Sequence, residues 1–176
     1  MNEAAILYGR HKGKSVLLDT NLLLVLLMGA FNPYLLGNFK RVSGYKVGDY
    51  DLLVRMLKSF TVLLTTPHIL TEVSNLAGYL PESVKSDWFR SFGIFIKSQS
   101  DVPTMREFWT PAMELAATPQ FAAFGIADAG IAAFSNEALV VTEDHRLSGA
   151  LRKRGISVLN FADLRGLELR MRNPSA

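Results

Sequence analysis

Four carboxylates stand where an α/β chain brings chemistry together. Asp19 terminates the apolar run Ser15 to Leu18 (SVLL), and Asp144 comes three residues after Ala138 to Val141 (ALVV), in Thr142-Glu143-Asp144. Glu72 falls in the second turn of the segment after FTVLLTT, where Thr66 and Pro67 have the residue types of a helix N-cap and first helical position. Asp128 is the single charge in Phe124 to Phe134 (FGIADAGIAAF). A lone carboxylate in such surroundings is held at a cost of several kcal/mol, or with a raised pKa, unless a cation or hydrogen bonds compensate. Ala127, Ala129 and Gly130 let that segment approach a sheet closely and leave Asp128 at a cleft rim. Carboxylates that converge repel one another, and a hard divalent cation with oxygen ligands, Mg²⁺ or Mn²⁺, resolves the repulsion. Such a site suits phosphodiester hydrolysis, because the metal generates a nucleophile from bound water, neutralises the phosphate and stabilises the leaving oxygen.

The elements that must position these acids follow from periodicity. Ser15 to Leu18, Phe60 to Leu64, Ala138 to Val141 and Ile156 to Leu159 are nearly all apolar, the pattern of strands buried on both faces of a parallel sheet. Gly93 to Ile96 admits a fifth strand as well as the end of a helix. Helical periods cover Leu22 to Met28, Tyr50 to Lys58 after a cap signal at Asp49, His68 to Tyr79, Glu82 to Ile96, Pro111 to Ala117, Ile126 to Phe134, and His145 to Arg154 ending at Gly155. This alternation predicts an α/β fold, a three-layer α/β/α sandwich around a mainly parallel sheet with right-handed crossovers. Ligands of such sheets bind beyond the carboxyl ends of the strands, where the acids fall. Gly29 to Gly48 reads as an irregular excursion with a short helix near Pro33 to Phe39, and residues 1–14 as a lead-in whose Arg10, His11, Lys12 and Lys14 form either a backbone-binding arm or a solvated tail.

Composition narrows the function classes. The 176 residues, 49% hydrophobic and 20% charged, suffice for one well-filled domain over residues 1–176. The absence of cysteine excludes disulfide staples, thiol catalysis and Cys-ligated metal sites. Val16 to Met28 is apolar over thirteen residues but contains Asp19, Thr20 and Asn21, too short and too polar to cross about 30 Å of hydrocarbon, so no membrane partner is expected. The N-terminus lacks a cationic segment followed by an apolar one and a cleavage site, which gives the cytoplasm as the expected location. Nineteen Lys and Arg against sixteen Asp and Glu leave a net charge of +3. With four acids confined to a site, the remaining surface is more basic than this total, as nucleic-acid backbone binding requires.

Taken together, the motifs resemble those of the PIN domain family of metal-dependent nucleases, over Ser15 to about Leu164. VLLDTNLLL is similar to the family's first motif, which implies Asp19 as a metal ligand and Asn21 as a polar residue supporting the site. TPHILTEVSNL resembles the second motif with Glu72, FGIADAGIAA the third with Asp128, and ALVVTEDHRLSGALRKRGISVLNF the fourth, with Thr142 and Asp144 in a T-x-D arrangement. The resemblance implies a Mg²⁺ or Mn²⁺ site and endonucleolytic cleavage of RNA. Many small single-domain members of the family are toxins held inactive by an antitoxin protein and are often homodimers, so the resemblance admits an antitoxin partner and a homodimer. The excursion and the long lead-in depart from a minimal member of the family, and Glu143 adds an acid beside Asp144.

Each residue has a plainer role to be weighed. Asp19 and Asp144 suit N-caps, Glu72 a solvated helix surface, and Asp128 a buried acid satisfied by backbone donors or an arginine. Thr142 has no histidine base beside it in sequence and is read as orienting Asp144 or a water rather than as a nucleophile. His68 stands one turn before Glu72 and is read as a surface or half-buried residue, while His145 with Arg146 is placed to touch phosphate. Arg152-Lys153-Arg154 suits a helix C-terminus, and Phe89, Phe92 and Phe95 suit a core or dimer interface. The rival readings are a catalytically silent PIN-like module that binds RNA or protein, and a phosphatase of the haloacid dehalogenase type. The phosphatase normally has a second Asp where this chain has Asn21. A dinucleotide-binding fold is weaker still, because the turn after the first strand has no glycines.

Overall fold

The computed structural model describes residues 3–98, 103–134 and 138–172. Five parallel strands, β1 (Ser15–Leu18), β2 (Val62–Thr65), β3 (Thr104–Glu107), β4 (Leu139–Thr142) and β5 (Val158–Asn160), form one sheet in the order β3-β2-β1-β4-β5. Helices flank the sheet in a three-layer α/β/α sandwich. The chain builds outward from β1 through β2 to β3, then returns to β4 on the other side of β1. That reversal opens a crevice at the carboxyl ends of β1 and β4, the usual ligand position in open α/β sheets. Register places Leu17 beside Leu64 of β2 and Val140 of β4.

The helices are α1 (Glu3–His11), α2 (Thr20–Phe31), α3 (Val47–Leu57), α4 (Pro67–Ala77), α5 (Glu82–Lys97), α6 (Ala112–Ala116), α7 (Pro119–Phe124), α8 (Ile126–Phe134), α9 (His145–Lys153) and α10 (Phe161–Arg172). Helix α2 is apolar all round, and Leu22 through Met28 are buried against α3, α4 and α5, as a helix without a polar face must be. Gly29 lies so close to α3 that a Cβ there would come within 2.2 Å of the Tyr50 ring. No helix among the described residues is long and apolar enough to cross a membrane.

The fifth strand is not at Gly93 to Ile96. Those residues continue α5, whose Trp88 and Phe92 are buried one turn apart while Ile94 is exposed. A four-residue apolar run fits strand and helix alike, and the helical period of the preceding residues decides. The strand is instead the edge β3, with sequence TMRE, paired to β2 only and partly exposed. An edge strand has little apolar signature to read.

The lead-in is a helix rather than an arm or tail. Ala4 of α1 is buried, and the Tyr8 hydroxyl donates to Ser59 Oγ at 2.7 Å. The excursion carries two 3₁₀ turns, Pro33–Leu35 and Lys40–Val42, in place of one short helix, and seals Leu36, Phe39 and Val42 into the core. Helices α7 and α10 were not anticipated from periodicity.

Candidate active site

Asp19 leaves β1 at the sheet edge and caps α2: its Oδ1 accepts from Leu22 N at 2.8 Å. Its Oδ2 accepts from the Thr142 hydroxyl at the end of β4, and from Glu143 N at 3.4 Å. Asp19 is 5% exposed, and burial pushes its carboxyl up to about 6 against these hydrogen bonds, with the Asp144 charge adding to the rise. Thr142 is fully buried and joins two acids, since its hydroxyl also accepts from Asp144 N at 3.0 Å. Asp144 caps α9, where its Oδ1 accepts from Arg146 N and Leu147 N at 2.7 and 3.0 Å. The capping role is therefore real for both aspartates, and it leaves carboxylate oxygen lone pairs uncommitted in each.

Glu72 and Asp128 come from the other side of the crevice. Thr66 caps α4 with Pro67 at its first position, as expected, and carries Glu72 to where its Oε2 accepts from the Thr20 hydroxyl at 2.7 Å. Asp128 sits in the first turn of α8 after Gly125, whose φ of 86° and ψ of −177° belong to a backbone region open essentially to glycine alone. Helix α8 passes close to α4 at Gly130, where a Cβ would meet Thr66 and His68 at 3.6 to 3.8 Å. Burial first, then the charges of Asp19, Glu72 and Asp144, push the Asp128 carboxyl up to about 7. Among the described residues, no cationic side chain offsets these effects.

These four acids and Asn21 line one cleft of about 420 Å³, together with His68, Asn75 and Phe124. Thr142 does not line it; it stands behind Asp19 and Asp144 and aligns them. Among the described residues, no Lys or Arg lines the cleft. His68 is half-buried, and its Nε2 has no hydrogen-bond partner among the described residues. Arg146 stands at the mouth, its guanidinium 5.7 Å from the centre of the Phe124 ring. His145 is turned towards Asn160 instead, 3.4 Å from its side-chain amide. Arg152 donates to Val158 O and pairs with Asp163, a role within the fold at the end of α9.

Glu143 has a different fate from its neighbour. The Arg165 guanidinium of α10 pairs with Glu143, while its Nε lies 2.5 Å from Asp49 Oδ1. Asp49 in turn accepts from Lys46 N at 2.8 Å and closes the first turn of α3. Arg165 lies over the rings of Tyr45 and Phe161, and burial with the hydrogen bond and charge of Glu143 holds the Tyr45 hydroxyl well above the usual phenol range. The excursion thus reaches the site's edge through Tyr45. Neither Tyr45 nor Arg165 carried a motif in the sequence, and only the spread of Asp49, Glu143 and Arg165 over three elements hides their connection.

The cleft offers oxygen donors alone apart from His68, the set that hard divalent cations prefer. Among the described residues, no group of three Asp, Glu or His side chains is already drawn into a metal-holding set. No protein-family model and no curated protein sequence matches this chain. Among solved structures, "a domain of a functionally unknown protein from Methanocaldococcus jannaschii DSM 2661" is similar at 16% identity and a TM-score of 0.46, over 83% of this chain and 89% of that one.

Proposed function

We propose that this chain is a Mg²⁺- or Mn²⁺-dependent endoribonuclease. The observation that carries the reading is one cleft lined by four carboxylates and, among the described residues, no Lys or Arg, with two of the carboxyls pushed up by burial and mutual repulsion. Asp19, Glu72, Asp128 and Asp144 would hold the cation, and the bound ion supplies water activation and charge neutralisation at the phosphate. Thr142 keeps Asp19 and Asp144 in register, Thr20 orients Glu72, and Asn21 offers an amide to a phosphate or sugar oxygen. The carboxylates would repel a phosphodiester by themselves, so cation binding precedes substrate. RNA as the substrate, an antitoxin as a protein partner and a homodimer as the assembly come from the resemblance to PIN domains and form the finer part of this proposal.

A catalytically silent module is favoured by a single observation, the lack of a preformed metal-holding set among the described residues. One experiment separates the two: cleavage of labelled single-stranded RNA, tRNA and single-stranded DNA with Mn²⁺, Mg²⁺ or EDTA, beside Asp128→Asn. Metal-dependent cutting that vanishes in the variant is the expected result. A folded protein that cuts none of these substrates, or a variant that cuts as fast as the wild type, overturns the nuclease reading.

A further inference from the structure

A second groove, of about 450 Å³, lies beyond the cleft and is lined by Lys40 and Arg41 of the excursion together with Asn38, Tyr79 and Leu80. Tyr79 is 70% exposed, although the Arg41 guanidinium lies 4.8 Å from its ring centre. Lys40 and Arg41 make no ion pair among the described residues, and no acid lines the groove. The groove begins where α4 ends. Glu72 and Asn75 of α4 line the cleft, and Tyr79 follows Asn75 by four residues and Glu72 by seven, in the turn just past the end of α4. Gly78 N donates to Ser74 O, so the helical path continues to Tyr79, about 10 Å beyond Glu72 at 1.5 Å per residue.

We propose that this groove is a nucleotide-binding subsite that takes the single-stranded RNA flanking the cleavage position, a proposal that rests on the RNA-cutting reading of the cleft. Two unneutralised cations meet backbone phosphates, and an exposed aromatic ring paired with a guanidinium offers a face on which any base stacks. The acid cleft holds little attraction for RNA before its cation binds, and Lys40 and Arg41 supply it at the groove just past the end of α4, whose apolar wall of Leu35, Phe39 and Pro81 suits a base. The excursion acquires a function by this assignment, since it brings Lys40 and Arg41 to α4.

The test is fluorescence anisotropy of an end-labelled uridine-rich RNA of about 12 nucleotides, within the range of single-stranded sites, measured in EDTA so that cutting cannot consume the probe. Tyr79→Ala is expected to weaken binding about 5- to 30-fold, in the range of one lost stacking contact, with Tyr79→Phe close to wild type. Lys40→Ala with Arg41→Ala is expected to weaken binding comparably and to lower the salt slope by about 1.4. All are surface changes, and unaltered circular dichroism would show that the variants fold. Affinities within about twofold of wild type in both the Tyr79→Ala and double variants, or no RNA binding by the wild type, overturn the proposal. Loss of self-association in Tyr79→Ala, by sedimentation, with unaltered RNA affinity overturns it in favour of a second copy of the chain. Cleavage of the same RNA with Mn²⁺ is scored separately: variant-sensitive binding without cutting supports the subsite and sinks the nuclease, and cutting with variant-insensitive binding does the reverse.

Discussion

Glu143 and Asp144 are adjacent in the chain and opposite in circumstance. Glu143 is paired with Arg165, which also holds Asp49, beneath the rings of Tyr45 and Phe161. Asp144 faces a cleft that it shares with Asp19, Glu72 and Asp128, where no Lys or Arg among the described residues lines the wall. In one cluster the fold has supplied its own counter-charge; in the other it has left the charge standing. Structural acids are neutralised internally because unpaired buried charge is destabilising, whereas the raised carboxyls of Asp19 and Asp128, in the cleft that Asp144 shares, are the feature on which the proposed binding site rests.

The comparison breaks most sharply at the acids themselves. Asp19→Asn and Asp128→Asn are each expected to lower the metal-dependent cleavage rate about 10³-fold or more, the scale of losing charge stabilisation worth several kcal/mol in a closed site, while circular dichroism stays unchanged. Wild-type turnover in both would make the cleft another structural cluster. Arg165→Met, by contrast, should leave chemistry nearly intact and destabilise the fold by about 2 kcal/mol, since Glu143 and Asp49 lose hydrogen bonds to a charged partner. Urea denaturation measures this, and unchanged stability would remove the distinction between the clusters.

A third effect concerns pH. The carboxyls of Asp19 and Asp128 stand at about 6 and about 7 in the folded chain against 3.8 for a free aspartate. The folded state therefore binds more protons than the unfolded state between about pH 4 and 7, and its stability falls as pH rises through that window. Metal-free protein should melt several degrees lower at pH 8 than at pH 5, about 2–4 °C per kcal/mol for a chain of this size. Mn²⁺ should raise the melting temperature at pH 8, and Asp128→Asn should flatten the pH dependence. A profile that rises with pH would contradict the origin assigned to the raised carboxyls. The smallest expected change is Gly125→Ala, about 1 kcal/mol of backbone strain, with a drop in cleavage because Gly125 sets the entry to the helix that carries Asp128.

Much of this was legible in the amino-acid order. The interior strands announce themselves because they are buried on both faces, and an acid directly after such a run is carried to the sheet edge by geometry alone. Asp128 stands out because a single charge among Ala, Gly, Ile and Phe has no local explanation. Edge strand β3 is invisible because its polar TMRE lacks that burial, and the lead-in reads equally as an arm or a tail because Tyr8 finds its partners across the fold, at Ser59 and Phe60.

What sequence determines by itself here is local: which segments are buried, where each helix is capped by Thr66, Asp19 or Asp144, and therefore which acids leave the strand ends. Tertiary structure alone decided which acids remain unpaired. Asp144 and Glu143 have the same charge and nearly the same address, and the difference between them is an arginine brought in from α10, more than twenty residues away. Hydrophobic burial is written into each segment's own composition, but charge neutralisation depends on distance in space, which only the folded chain sets.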